Sequence, residues 1–183
     1  MTNDQQPMTI TQYPIPNAKK TKELRIGMTS STPKFETQME VSSEIAPDGT
    51  TCAQVTSLEL KYGFTDIIVH IAKDLGESPC VYSMVMQHEL RHVDADRELM
   101  NIYTPRLSGL LPAFLREMGV IRTKDPESAK QEVYSEIGDY IEQLSSEIMA
   151  EHDKRQALID TPEEYRRLTE TCGDDISKLS SGW

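Results

Sequence analysis

The stretch QHELRH, at positions 87–92, sets two of the chain's four histidines at i and i+4 with Glu89 directly after the first. On a helix, residues four apart face the same way, so His88 and His92 can reach one ion. Neutral imidazole is a good ligand for Zn²⁺, and two of them leave room for a third protein ligand and a water. Zinc lowers the pKa of such a water to roughly 7, which makes it a nucleophile at neutral pH. Glu89 is the candidate general base, able to take that water's proton and hand it to a leaving amine. The competing reading is a polar pair on an ordinary helix surface. Against it, both histidines fall on a stripe with Val81, Val85, Ala95 and Leu99, where an unpartnered imidazole is costly.

The helix that carries this stripe is expected to start at Ser78-Pro79 and to end near Tyr103, where Thr104-Pro105 breaks it. A second helix, RLSGLLPAFLREMG, presents Leu107, Leu110, Leu111, Phe114, Leu115 and Met118, with Pro112 kinking it. Asp125-Pro126-Glu127 is a strong helix opening, and the helix it begins is expected to reach about Leu158. Asp160 to Pro162 interrupts, and a last helix follows to about Cys172. Upstream, KFETQMEVS alternates as a strand and APDGTT supplies a turn. QVTSLELKYGFTDIIVHIAKDL then predicts a hairpin turning near Gly63, with Leu58, Leu60 and Tyr62 on one strand and Ile67, Val69 and Ile71 on the other. His70 points away from those three and reads as a packed strand residue. Strands before helices give an α+β fold: a small antiparallel sheet, a hairpin plus one or two strands, followed by three to four helices.

HELRH matches the HExxH signature of the zincin metallopeptidases, and strands before the motif helix with helices after it also resemble that superfamily. CVYSMVMQHELRHVDADREL with the closing QALIDTPEEYRRL is similar to uncharacterised bacterial families predicted to be secreted zinc-dependent proteases. The likeness covers about residues 53–172, and five residues carry its specific part. It implies a zinc-dependent hydrolase acting on a peptide or protein. Residues 1–22, polar and Pro-containing, read as a flexible arm, which leaves 23–183 as one zincin-like domain. The hairpin before the motif helix would offer an edge strand for an extended peptide. The extended form HExxHxxGxxH would need Gly at Ala95 and His at Glu98, and neither is present.

The third ligand must therefore come from elsewhere. His152 is the leading candidate, as the next member of the stripe Ile137, Ile141, Leu144 and Ile148. Asp160 and Glu164 are the carboxylate alternatives. Asp96, one turn after His92, is a candidate for orienting an imidazole. Arg91 and Arg97 read as partners of the surrounding acids, while Tyr103 and Tyr165 are candidate electrophilic helpers. A zinc-stabilised binding module without turnover is the alternative function, and a metal-free helical adaptor the third.

A net charge of −11 with a pI of about 4.8 argues against a nucleic-acid or anionic-membrane surface. No apolar run approaches the roughly 18 residues of a membrane helix. MTNDQQPMTITQYPIP lacks a basic start and an apolar stretch, so the expectation is periplasmic or secreted if a leader has been removed, and cytoplasmic if Met1 is native. The three cysteines match no zinc-finger spacing. The expected hairpin brings Cys52 near Cys80, so these two are expected to be bridged in an exported protein, with Cys172 left over.

Overall fold

The computed structural model describes residues 2–3, 8–13, 26–73, 75 and 78–173. Strands β1 (Thr2–Asn3), β2 (Thr9–Tyr13), β3 (Gly27–Ile45) and β4 (Thr51–Ala72) precede helix α1 (Pro79–Met118). Strand β5 (Ile121–Thr123), helix α2 (Pro126–Ile159) and helix α3 (Pro162–Cys172) follow. The fold is α+β. Its sheet is mixed rather than antiparallel, because β1 and β2 run parallel to β4 while β5 runs antiparallel to it. β2 lies in the segment expected to be an arm, where Thr9–Tyr13 align with Ile68–Ala72. β1 lies there too, with Thr2 and Asn3 aligned with Lys61 and Tyr62, and residues 4–7 and 14–22 lie outside the described residues.

The expected turn at Gly63 does not form. β4 is one strand of 22 residues, and the irregularity at its middle is absorbed locally by positive φ at Gly63 (150°) and Asp66 (51°). A glycine is suited to such a backbone, and a single left-handed residue can bulge a strand without ending it. The hairpin turn is instead the one at APDGT, where Ala46 N donates to Thr50 O at 2.8 Å and β3 pairs with β4.

α1 also runs on where a break was expected, through Pro105 and Pro112. A proline in a helix interior costs about 3 kcal/mol, in part by stranding the carbonyl four residues earlier. Here those carbonyls belong to Asn101 and Ser108, both on exposed residues that water can reach. Tyr103, Leu107 and Leu111 are buried on the other side, each worth about 1.5–3 kcal/mol. Burial on both sides of Pro105 outweighs the proline.

The chain divides into two compact units. One contains Lys34–Gly63 and Leu99–Glu151. Its core joins Ala53, Ala129, Val133 and Ile137 to Met39, Val41, Phe114, Leu115, Ile121 and Ile141. The other takes in the described parts of Gln5–Pro33, Phe64–Glu98 and His152–Trp183. It buries Ile67, Val69, Ile71, Val81, Val85, Val93 and Leu168, and it contains His88, Glu89, His92, His152, Asp160 and Glu164.

Cys80, in the first turn of α1, is bridged to Cys172, in the last turn of α3, with their Cα atoms 5.8 Å apart. Cys52 is free and stands opposite Arg122 in the β4–β5 pair. The expected Cys52–Cys80 bridge fails for the same reason as the hairpin: β4 continues past Gly63 and never returns towards Cys52. A bridge across 92 residues that removes loop freedom from the unfolded chain is worth about 2–4 kcal/mol. Peptide mapping without reductant should recover Cys80 joined to Cys172, and reduction should lower the unfolding free energy by that amount. Cys52 found in the bridge, or unchanged stability after reduction, would contradict the assignment.

Candidate metal centre

The HELRH segment lies in α1, with His88, Glu89 and His92 all buried. The C-terminal end of α2 packs against this part of α1 in matched steps of four residues. His152 meets Asp96, Gln156 meets His92, and Asp160 meets His88 and His92. Asp160 projects because the helix ends there. Pro162 forces Thr161 into an extended conformation (φ −93°, ψ 152°), and the Thr161 side chain then caps α3 by accepting from Glu164 N.

Three atoms converge at this break. His88 Nε2 lies 3.1 Å from Asp160 Oδ1, His92 Nε2 lies 3.3 Å from the same oxygen, and the two nitrogens are 3.3 Å apart. A tetrahedral ion with ligands at about 2.0–2.1 Å needs them roughly 3.3–3.4 Å from one another. Both histidines and Asp160 could thus hold one metal ion. The Asp160 side chain is 44% exposed, so the centre is open to solvent on its carboxylate side. Tyr165 donates to Asp160 Oδ1 at 3.1 Å, and its ring lies 5.9 Å from that of His88.

The other nitrogens of the two rings are also occupied. His88 Nδ1 has Arg91 Nη2 at 3.0 Å and Glu164 Oε1 at 3.6 Å. It can therefore accept from the guanidinium or donate to the carboxylate. Glu164 is paired with both Arg91 and Arg167. Arg167, then Arg91, hold its carboxyl down to about 2. His92 Nδ1 meets Gln156 Oε1, while Gln156 Nε2 donates to Asp96 Oδ1 at 2.7 Å and to His92 O at 3.3 Å.

Among the sequence candidates, the structure brings Asp160 to the histidine pair and Glu164 to the outer nitrogen of His88. His152 goes elsewhere. Its Nε2 lies 3.2 Å from Asp96 Oδ1, its Nδ1 2.9 Å from Asp153, and its ring stacks on Phe64. Asp96 is the chief cause of the raised pKa of His152. Asp96 itself is 2% exposed and also accepts from Ser31 at 2.9 Å, so it reaches the imidazole of His92 through Gln156 rather than directly. Arg97 pairs with Asp94 as expected. Tyr103 is engaged by Glu147, and His70 sits between Thr11 and Ser30.

Sequence reasoning missed Gly27, Thr29, Ser31 and Gln156. The first three alternate along β3, and period two puts them on one face. All three face α1. Thr29 donates to Glu89 Oε2 at 2.8 Å and to Glu89 O at 3.0 Å. Gly27 is required by close approach: a Cβ there would stand 2.4 Å from Glu89 Oε1 and 2.6 Å from Val85 Cγ1. The available signal was small residues at alternate positions in IGMTSS.

Gly27→Ala should therefore displace Glu89 and Val85 and destabilise the protein by about 1–3 kcal/mol, the usual cost of overpacking. Chemical denaturation measures this, and a midpoint equal to wild type would show that β3 does not press on Glu89. Scans of family models, of curated proteins and of solved structures each return no match to this chain.

Proposed function

We propose that this protein is a zinc-dependent hydrolase of the zincin type, acting on peptide bonds. One observation carries the reading: two imidazole nitrogens and a carboxylate oxygen lie 3.1–3.3 Å from one another. A mixed nitrogen and oxygen donor set suits zinc, whereas magnesium and calcium favour oxygen alone. Three protein ligands with an open side match catalytic zinc sites, whereas structural sites are closed by four. His88, His92 and Asp160 are the proposed ligands. Asp160 thus takes the place first given to His152.

Bound there, zinc would supply an acidified water and polarise a substrate carbonyl. Glu89 takes the proton of the attacking water and passes it to the leaving nitrogen. Thr29 and Gly27 fix where its carboxylate can lie. Tyr165 keeps the Asp160 oxygen hydrogen-bonded on the solvent side.

A peptide substrate is supported by β3. Among the described residues β3 pairs only with β4, and its residues 27–31 run beside Glu89, so its other edge is available for strand addition. β4, expected to supply that edge, is flanked on both sides. The Cys80–Cys172 bridge favours an oxidising compartment. No helix among the described residues is long and apolar enough to cross a membrane.

One contact favours the alternative, a zinc-stabilised binding module. The hydrogen bonds from Thr29 give the buried Glu89 a docking role that needs no turnover. Glu89→Gln separates the two readings, since the amide keeps size and accepts from Thr29 but cannot take a proton. In a cleavage assay on a mixed peptide library, the variant should retain zinc while turnover falls roughly 10²–10⁴-fold. Cleavage at the wild-type rate would rule out the mechanism. Zinc bound with no cleavage by either protein would favour the module.

A further inference from the structure

We infer, on the basis of the metal site proposed above, that Gln156 is a positioning residue that fixes the tautomer of His92 and so sets the affinity of the site for zinc. The orientation of its amide follows from its neighbours. Gln156 Nε2 faces Asp96 Oδ1 at 2.7 Å and the backbone oxygen of His92 at 3.3 Å. A carboxylate and a carbonyl can only accept, so the NH₂ end of the amide must point at them. The oxygen end is left facing His92 Nδ1.

An amide oxygen cannot donate, so Nδ1 of His92 must carry the hydrogen. In the neutral ring Nε2 is then bare. That bare lone pair points at His88 Nε2 and Asp160 Oδ1, each 3.3 Å away. Asp96 anchors the arrangement. It is buried, and Ser31 and His152 hold its carboxylate from two further directions. The series Asp96, Gln156, His92 thus presets one ligand before any metal arrives. Binding then requires no proton to leave that nitrogen. Metal-bound histidines usually depend on such a partner, and losing it commonly costs 10–100-fold in affinity.

The test uses the full-length protein and zinc alone, with a chromogenic chelator as competitor. Gln156→Met removes both polar ends at similar volume and should weaken zinc binding about 10–100-fold. Gln156→Glu sets a carboxylate against Asp96 and should also weaken it. Adding Asp96→Asn to Gln156→Glu restores donor to acceptor in the reverse sense and should recover most of the loss. A role confined to packing would give no such recovery. Independently, ¹⁵N shifts of the metal-free wild type at pH ~8, above the usual imidazole pKa, should report His92 as the Nδ1–H tautomer.

Wild-type affinity in Gln156→Met, no recovery in the double variant, or an Nε2–H tautomer for His92 would each overturn the inference. Should Gln156→Met fail to fold, the double variant and the wild-type spectrum still decide it. A wild type that binds no zinc would remove the proposed metal site and the affinity role with it, while the tautomer measurement would still report what Gln156 does to His92.

Discussion

Two imidazole nitrogens and one carboxylate oxygen, gathered within 3.3 Å, can rest against one another only with a ring hydrogen or a metal ion among them. Lone pairs at that separation repel, and the site buries both histidines, so water cannot fully screen them. A ring N–H or a metal ion must stand between them. The surrounding polar contacts follow from that requirement. Arg91 and Glu164 flank the outer nitrogen of His88, and Gln156 meets that of His92, so both Nε2 atoms face the centre.

The fold meets the requirement with few parts. One turn of α1 sets both imidazoles on the same side, and the end of α2 runs along it in steps of four residues. α2 stops at Ile159, just before Asp160, because Thr161-Pro162 cannot continue a helix. Beyond the break, α3 contributes Glu164 near its start and is tied to α1 by Cys172 at its end. At its start β3 brings Gly27, Thr29 and Ser31 to α1, and these small residues let its backbone approach Glu89 closely. Apolar burial holds the elements. The hydrogen bonds from Thr29 and Ser31 fix where β3 lies on the helix.

Much of this was legible because it is local. The spacing of His88 and His92, the opening of α2 at Asp125-Pro126 and the interruption at Asp160–Pro162 depend on residues a few positions apart. Which residue would join the two histidines was not legible. His152, Gln156 and Asp160 follow one another at intervals of four, so all three lie on the stripe that periodicity identifies. Which of them meets His88 and His92 depends on how far α2 slides along α1, and packing decides that, not local pattern. His152 lies on the expected face but meets Asp96, and it is Asp160, two turns on, that stands against His88 and His92. Gly63 failed differently. A glycine permits a turn, yet the same freedom lets a long strand absorb an irregularity, and pairing with β3 decided for the strand. Pro105 was overruled by the buried residues on both sides of it.

The most direct measurement is anomalous diffraction at the zinc edge from crystals of the zinc-loaded protein. A single strong peak within about 2.0–2.2 Å of His88 Nε2, His92 Nε2 and an oxygen of Asp160, with His152 still on Asp96, is the result this account predicts. A peak ligated by His152 or Glu164 in place of Asp160, or no peak at His88 and His92, would contradict it.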